Sequence, residues 1–311
     1  MSEEAMFSIK VPASTANLGP GFDSIGLALA LYLEVRGSFS ERWEVIPLSE
    51  DLKVFPADET NYIVSIAKKV AEAYNKELRP CRMTVCSDIP LTRGLGSSAS
   101  AIVAGIELAN IAGNLHLSAE EKIRHASLLE GHPDNAGASV TGGLVVGWHS
   151  EEETHVISYP LEGIKVIAVI PDYELRTDDS RNVLPKSLGY QDAVLASASA
   201  NVLLTALLTR NWELAGAMMK KDRFHQPYRS TLVPHLSKVE EAARDSGAVG
   251  TALSGAGPTV LCLVEEEKAG QVLECLVTTF PAYTVQLINI DNEGSKAMVF
   301  AQGDGIETSK K

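Results

Sequence analysis

Apolar and polar residues alternate along Phe7-Ser-Ile-Lys-Val11, the period-two signature of a strand with one covered face. A longer, partly alternating apolar stretch from Ile25 to Phe39 reads as its pairing partner. The spacing then changes. In Asn61-Tyr-Ile-Val-Ser-Ile-Ala-Lys-Lys-Val-Ala-Glu-Ala-Tyr74 the apolar positions recur at helical intervals, and Arg82-Met-Thr-Val-Cys-Ser87 returns to a short strand. That strand leads through a glycine- and serine-rich loop into a second helix. Ser118-Ala-Glu-Glu121 is a capping box, in which the serine and glutamate side chains satisfy each other's backbone N–H groups. It predicts a helix from Ala119 to about Leu129. Gly142-Gly-Leu-Val-Val-Gly-Trp148 follows as a strand.

The acidic run Glu151-Glu-Glu153 interrupts the strand signals and marks an expected boundary between two domains, 1–153 and 154–311. Beyond it the pattern predicts a strand at 165–170 and a loop through Arg181. Helices over 191–208, 212–220 and 232–245 come next. Strands at 251–254 and 259–264, a helix over 266–280 and a strand at 284–290 complete an α+β chain. The tail from Gln302 reads as frayed, and there is no internal repeat.

Composition narrows the picture. The chain has 311 residues, 45% hydrophobic and 22% charged, the balance of a globular protein with well-buried cores. Its longest apolar runs, such as Ile164-Lys-Val-Ile-Ala-Val-Ile170, are of strand length and too short to span a bilayer. Met1-Ser-Glu-Glu lacks the basic start and apolar core of a secretory signal. Cys81, Cys86, Cys262 and Cys275 form no C-x-x-C pair and have no histidines at metal spacing, so they read as reduced packing residues of a cytoplasmic protein. A net charge of −13 argues against nucleic-acid binding and against an anionic membrane surface.

The chemistry is concentrated in Pro90-Leu91-Thr92-Arg93-Gly94-Leu95-Gly96-Ser97-Ser98-Ala99-Ser100, which opens a helix. Unpaired backbone N–H groups and the positive end of the helix dipole favour a phosphate there. The serine hydroxyls add donors, and one can ligate a nucleotide's magnesium ion. The loop is neither a Walker A sequence nor a dinucleotide fingerprint, since Ala99 stands at the third glycine position. In so acidic a chain the site needs local positive charge from helix N-termini, a divalent metal and a few basic residues, among them Arg93.

Four further segments accompany this loop. They are Val11-Pro-Ala-Ser-Thr-Ala-Asn17-Leu-Gly19-Pro-Gly21-Phe-Asp23-Ser-Ile-Gly26, Leu129-Glu130-Gly131-His132-Pro133-Asp134-Asn135-Ala136, Thr177-Asp-Asp-Ser-Arg181, and Gly250-Thr-Ala-Leu-Ser254-Gly255-Ala-Gly257-Pro258-Thr259. In this order, from Val11 to about Val264, the five resemble the signature set of the GHMP small-molecule kinases. Within that superfamily they look most like the homoserine kinases. The resemblance implies two domains. The first is a ribosomal-protein-S5-domain-2-like ATP-binding domain with a left-handed βαβ crossover, and the second is ferredoxin-like.

It also implies roles. Ser98 and Glu130 match the family's magnesium ligands. Arg181 and Arg229 match its two carboxylate-binding arginines, and guanidinium suits that task because its planar fork offers two parallel hydrogen bonds. Thr177 lies close before the first arginine. Asp23 matches the group that meets the substrate ammonium, while Asn17, His132 and Asn135 resemble residues around the substrate hydroxyl and backbone. Asp134 holds this loop or touches the ammonium. Asn17, Asn135 and Arg181 are the candidate catalytic residues. Pro90 to Ser100, Asn61, Gly255 and Gly257 are the nucleotide candidates, and the last two let backbone approach the phosphate loop closely. Asn17, Asn61 and Asn135 also suit caps and turns that need no ligand.

The activity implied is ATP-dependent phosphorylation of L-homoserine by a magnesium-dependent homodimer, with direct transfer and no dedicated general base. Two other readings stay open: a relative acting on a sugar or isoprenoid alcohol, and a non-catalytic nucleotide or amino-acid sensor. Paired arginines disfavour the first, because a neutral sugar offers them nothing to bind. The presence of both Ser98 and Glu130 disfavours the second.

Overall fold

The computed structural model describes residues 6–300, so the frayed tail expected from Gln302 lies outside the described residues. β1 (Met6–Asn17) and β2 (Gly21–Phe39) form an antiparallel hairpin. β2 is long enough to serve two neighbours. Its residues Leu33–Phe39 pair with β4 (Cys81–Ser87), and Ile25–Leu27 pair with β5 (Leu144–His149). β3 (Glu44–Pro47) runs parallel to β4, and α1 (Tyr62–Ala73) makes the crossover between them. β6 (Thr154–Tyr159) returns along β5, and β11 (Lys296–Phe300) adds to the outer side of β1, giving seven strands.

α2 (Ser97–Ala112), α3 (Ala119–Glu130) and α4 (Pro133–Thr141) belong to this half. α2 is its central helix. Ile102, Val103, Ile106 and Leu108 are all buried, and a Cβ on Gly105 would lie 2.7 Å from the Ile66 side chain of α1. The tight fit leaves the N-terminus of α2 as the exposed end of a rigid rod. Both halves of the capping box form: the Ser118 hydroxyl accepts from the Glu121 N–H, and Glu121 accepts from the Ser118 N–H.

The second sheet is antiparallel, in the order β10 (Thr284–Ile288), β7 (Ile164–Ile170), β9 (Val260–Glu265), β8 (Gly250–Leu253), the arrangement of a ferredoxin-like unit. Between β7 and β8 come α5 (Thr177–Asn182), α6 (Tyr190–Leu208), α7 (Trp212–Met219), α8 (Gln226–Arg229) and α9 (Leu236–Asp245); α10 (Ala269–Thr279) links β9 to β10. Both faces of β7 are covered. Val166 and Ala168 join the core shared with α6 and α7, and Ile167 and Val169 join the one beneath α9 and α10. This explains why Ile164–Ile170 is almost unbroken in apolar character rather than alternating.

Several expectations are corrected. Glu151–Glu153 is the turn of the β5–β6 hairpin, so a boundary at 153/154 would split paired strands, and β11 brings the chain back to the first sheet. Thr177 and Arg181 sit on α5 rather than in a loop. The helix expected from 232 starts at Leu236, because Pro234 disfavours helical geometry at Val233. β3, β6 and β11 are short or largely exposed and carry no strong pattern. α6 is long and apolar enough, by length and composition, to cross a membrane, but it packs through Ala196, Leu203, Ala206 and Leu207.

Replacing Ser118 by alanine removes one arm of the capping box. It is expected to destabilise the protein by about 1 kcal/mol, read as a lower denaturation midpoint in urea.

Candidate active site

The site forms where three backbone segments touch. Gly94 and Gly96 both have positive φ, and a Cβ on either would collide with backbone or side chain. On Gly94 it would lie 2.4 Å from the Ser254 carbonyl, and on Gly96 it would lie 2.2 Å from Ser14 Oγ. Ser254 Oγ donates to the Gly94 carbonyl at 2.6 Å, and the Ser14 N–H donates to the Leu95 carbonyl at 3.2 Å. The Gly255 N–H reaches the Ala16 carbonyl at 3.2 Å. The glycine-rich turn at 254–258 therefore meets the loop before α2 as expected, while β1 supports it from beneath.

Within the loop the residues divide. Ser97 and Ser98 line the cavities, whereas Ser100 is buried and bonded to the Pro12 or Gly96 carbonyl. Leu95 and Ala99 are buried anchors. Arg93 turns away. Its guanidinium donates to the carbonyls of Pro171, Leu91 and Asp172 and approaches Glu174, so it ties the loop to the segment after β7. The positive potential therefore comes from elsewhere.

On one side of the loop lies an apolar cavity of about 420 Å³. Val45, Pro47, Phe55, Ile63, Ile89 and Leu91 contribute to its walls, with Thr92, Ser97 and Ser98 at the loop end. Asn61 is there too, but its amide is committed: Oδ1 caps α1 by accepting from Ile63, and Nδ2 donates to the Pro56 carbonyl. Pro90 lines neither cavity.

A smaller cavity of about 130 Å³ shares Thr92, Ser97 and Ser98 with the first, and it collects nearly all the acceptor-side candidates. Asn17, Asp23, Glu130, His132, Asp134, Asn135, Thr177, Arg181, Arg229, Gly255 and Gly257 all line it. Asn17 bridges the hairpin turn, accepting from the Asp23 N–H and donating to the Gly255 carbonyl at 3.1 Å in each case. Asn135 Oδ1 accepts from Ser14 at 2.9 Å.

Charge within this cavity is closely paired. Arg181 grips Asp23 with two hydrogen bonds at 3.0 and 2.9 Å, although the sequence placed them at opposite ends of a substrate. His132 Nδ1 lies 2.6 Å from Asp134 Oδ1. Burial alone would lower the His132 pKa, but Asp134 reverses this and raises it above the ordinary histidine value. Asp23, His132 and Asp134 each bring an atom within 4.8 Å of the others. Ser98 Oγ donates to Glu130 Oε2 at 3.1 Å, and burial raises the Glu130 pKa. A hydroxyl and a carboxylate side by side, the latter poorly solvated, form a hard-oxygen pair that suits magnesium.

Arg229 is held differently from Arg181. It lies on a one-turn helix, and at 2% exposure it is the largest fully buried side chain among the described residues. Nε donates to the Ser180 carbonyl, and Nη1 to the Gly255 carbonyl and to His225 Nδ1. Nη2 has no hydrogen-bond partner among the described residues. Burial, and then the charge of Arg181, bring its pKa down to about 10, so it remains a cation at neutral pH. The Phe22 ring lies beneath both arginines, with the Arg229 and Arg181 guanidinium carbons 5.2 and 5.7 Å from its centroid. Phe22 stands beside Asp23 in the Gly21-Phe22-Asp23 segment, and His225 is four residues before Arg229. That proximity was the only sequence signal for either.

Gly94→Ala forces a side chain into the contact with Ser254 at a strained φ. It is expected to cost about 1–3 kcal/mol of stability and to raise the KM for nucleotide, measured by thermal unfolding and steady-state kinetics.

The family model for the GHMP kinases N terminal domain matches residues 61–143, and that for the GHMP kinases C terminal region matches 203–282. The chain is 52% identical over 292 residues to a homoserine kinase of Bacillus velezensis, covering 94% of each. A homoserine kinase of Bacillus pumilus is also 52% identical, over 295 residues covering 94% of this chain and 95% of that one. The crystal structure of homoserine kinase from Cytophaga hutchinsonii superposes with a TM-score of 0.83 at 28% identity, covering 96% of this chain and 99% of that one. A mevalonate kinase at 20% identity and a TM-score of 0.70 shares the fold. Two domain matches and close similarity along almost the whole length place this chain in the GHMP kinases, among the homoserine kinases.

Proposed function

We propose that the chain transfers the γ-phosphoryl group of ATP to the hydroxyl of L-homoserine, giving O-phospho-L-homoserine and ADP on the way to threonine. The observation that carries the reading is the convergence of Arg181 and the buried Arg229 on a small cavity beside the N-terminus of α2. A sugar or isoprenoid alcohol lacks a carboxylate adjacent to an ammonium to match such a cavity. Adenine would occupy the apolar cavity, and the triphosphate would lie across Ser97, Ser98 and the backbone N–H groups of the first turn of α2.

In the acceptor cavity the amino-acid carboxylate would take Nη2 of Arg229 and a share of Arg181. Its ammonium would meet Asp23, with Asp134 and His132 close by. A zwitterion thereby offers each member of the Asp23–Arg181 pair a replacement partner, so separating them strands neither charge. Asn17 and Asn135 would orient the hydroxyl toward the γ-phosphate, and Thr177 lies at the exposed mouth.

Each acid in the cavity already has a partner: Asp23 has Arg181, Asp134 has His132, and Glu130 has Ser98. This favours direct transfer, with the hydroxyl proton passing to the phosphate, over a dedicated base. Ser98 and Glu130 would hold magnesium, which neutralises developing charge on the phosphates when bound. Retention of this pair supports a catalyst rather than a sensor.

The homodimer reading finds support in α6. This helix has a single charged residue, Asp192, and only 22% of its length is buried; Val194, Leu195 and Val202 are exposed along it. A second copy covering this stripe would remove apolar surface from water without burying charge. The free cysteines are compatible with a cytoplasmic setting.

The test is ADP release with ATP and magnesium, offering L-homoserine beside mevalonate, galactose and L-serine. Homoserine-dependent turnover is expected. Chelation of magnesium should abolish it, and Arg229→Ala should lower kcat/KM by roughly 10²-fold or more. Absence of turnover with every alcohol, while ATP still binds, would favour the sensor. Sedimentation tests the dimer: Val194→Lys with Leu195→Glu should yield monomers, and a monomeric wild type would end that reading.

A further inference from the structure

Arg229 carries its charge into a place where its only hydrogen-bond partners among the described residues are neutral. Two of the three are backbone carbonyls, those of Ser180 at 3.2 Å and Gly255 at 3.0 Å. The third, His225 Nδ1 at 3.2 Å, is the only side chain among them.

The tautomer of His225 follows from its neighbours. An arginine can only donate, so Nδ1 must accept. The Gly19 carbonyl can only accept, so Nε2, at 2.9 Å from it, must carry the proton. The imidazole is therefore neutral. It is also locked. The ring is fully buried and stacks on Phe22 with centroids 5.3 Å apart at 20°. Asp222 accepts from the backbone N–H groups of Phe224, His225 and Gln226, fixing the turn that carries it. A flipped ring would present carbon to Arg229, to the Gly19 carbonyl and to Asp222 Oδ2, which lies 3.4 Å from Nε2.

With Nε on the Ser180 carbonyl and both hydrogens of Nη1 on Gly255 and His225, the plane of the guanidinium is set. Nη2 remains for a ligand. We propose that His225 is a positioning residue for the amino-acid carboxylate: its neutral Nδ1 holds the Arg229 fork in the orientation that presents Nη2 to the acceptor cavity. This rests on the reading of Arg229 as a carboxylate group's partner. It goes beyond that reading by assigning part of the recognition to a histidine that does not line the cavity. Misorientation of a planar fork weakens a carboxylate contact far more than it weakens nucleotide binding.

The experiment compares L-homoserine with its carboxamide, which keeps the hydroxyl and ammonium and loses the anionic charge. It uses the full-length wild type, His225→Gln, His225→Asn and Arg229→Ala. Glutamine can reach the Nε2 position and keep the Gly19 bond, but it puts no acceptor at Nδ1. Asparagine can place its amide oxygen near Nδ1. His225→Gln is expected to raise the KM for L-homoserine about tenfold or more and to narrow the preference over the carboxamide to match. The KM for ATP should stay within about twofold, and His225→Asn should recover most of the preference. If folded His225→Gln keeps the wild-type preference while Arg229→Ala loses it, the positioning role is overturned and the carboxylate site stands. If Arg229→Ala keeps the preference, both fall. Equal losses toward ATP and homoserine in His225→Gln would also overturn the proposal, because they would mark a general structural defect.

Discussion

Three stretches of backbone meet with almost nothing between them: the end of β1, the loop before α2, and the turn at 254–258. Everything else in the site depends on that contact. Gly94 and Gly96 permit it because a Cβ at either would fall well inside van der Waals distance of Ser254 or Ser14. Ser254 secures it by donating to the Gly94 carbonyl and bonding Thr15 at 2.9 Å. The same contact joins the two sheets, so the two cavities are held by one piece of structure. Phosphoryl transfer is chiefly a matter of holding two reactants in line, and a junction this tight suits that task.

Electrostatics then distinguish the two ends. An acidic chain must bind anions, yet it spends few cations on them. Arg93, the obvious basic residue of the loop, faces away, leaving the loop with bare backbone donors and the α2 dipole. In the smaller cavity, Arg181 is neutralised by Asp23, while Arg229 is buried among neutral acceptors. A buried guanidinium without an adjacent carboxylate is costly, and the cost is tolerable where a ligand supplies the missing charge. Phe22 lies beneath both arginines and supplies a π-face that offsets part of it.

The chemistry was legible wherever it resided in short, contiguous motifs. Residues 94–98, Glu130 to Asn135 and the 254–258 turn carry their geometry locally, through glycine torsions, a proline-started helix and caps, and all came together in space. The capping box at Ser118 and the long apolar runs of β7 and α2 were equally plain, because propensity and periodicity agree there with the final packing. β3, β6 and β11 were not legible. Their partners are distant in sequence, and their exposed faces leave little alternation to read.

Sequence alone thus determined the family, and it named most of the residues that the fold gathers around the smaller cavity, since each rests on local backbone requirements or on residue identity. Only the tertiary structure decided which charges are paired, which are buried and which way a side chain turns. The Asp23–Arg181 pair spans 158 positions, and the Gly255 carbonyl beneath Arg229 lies 26 positions away. No local pattern encodes whether an arginine turns toward a cavity or away from it. That depends on which acceptors the folded chain brings within about 3 Å, and for Arg93 and Arg229 it brought opposite answers.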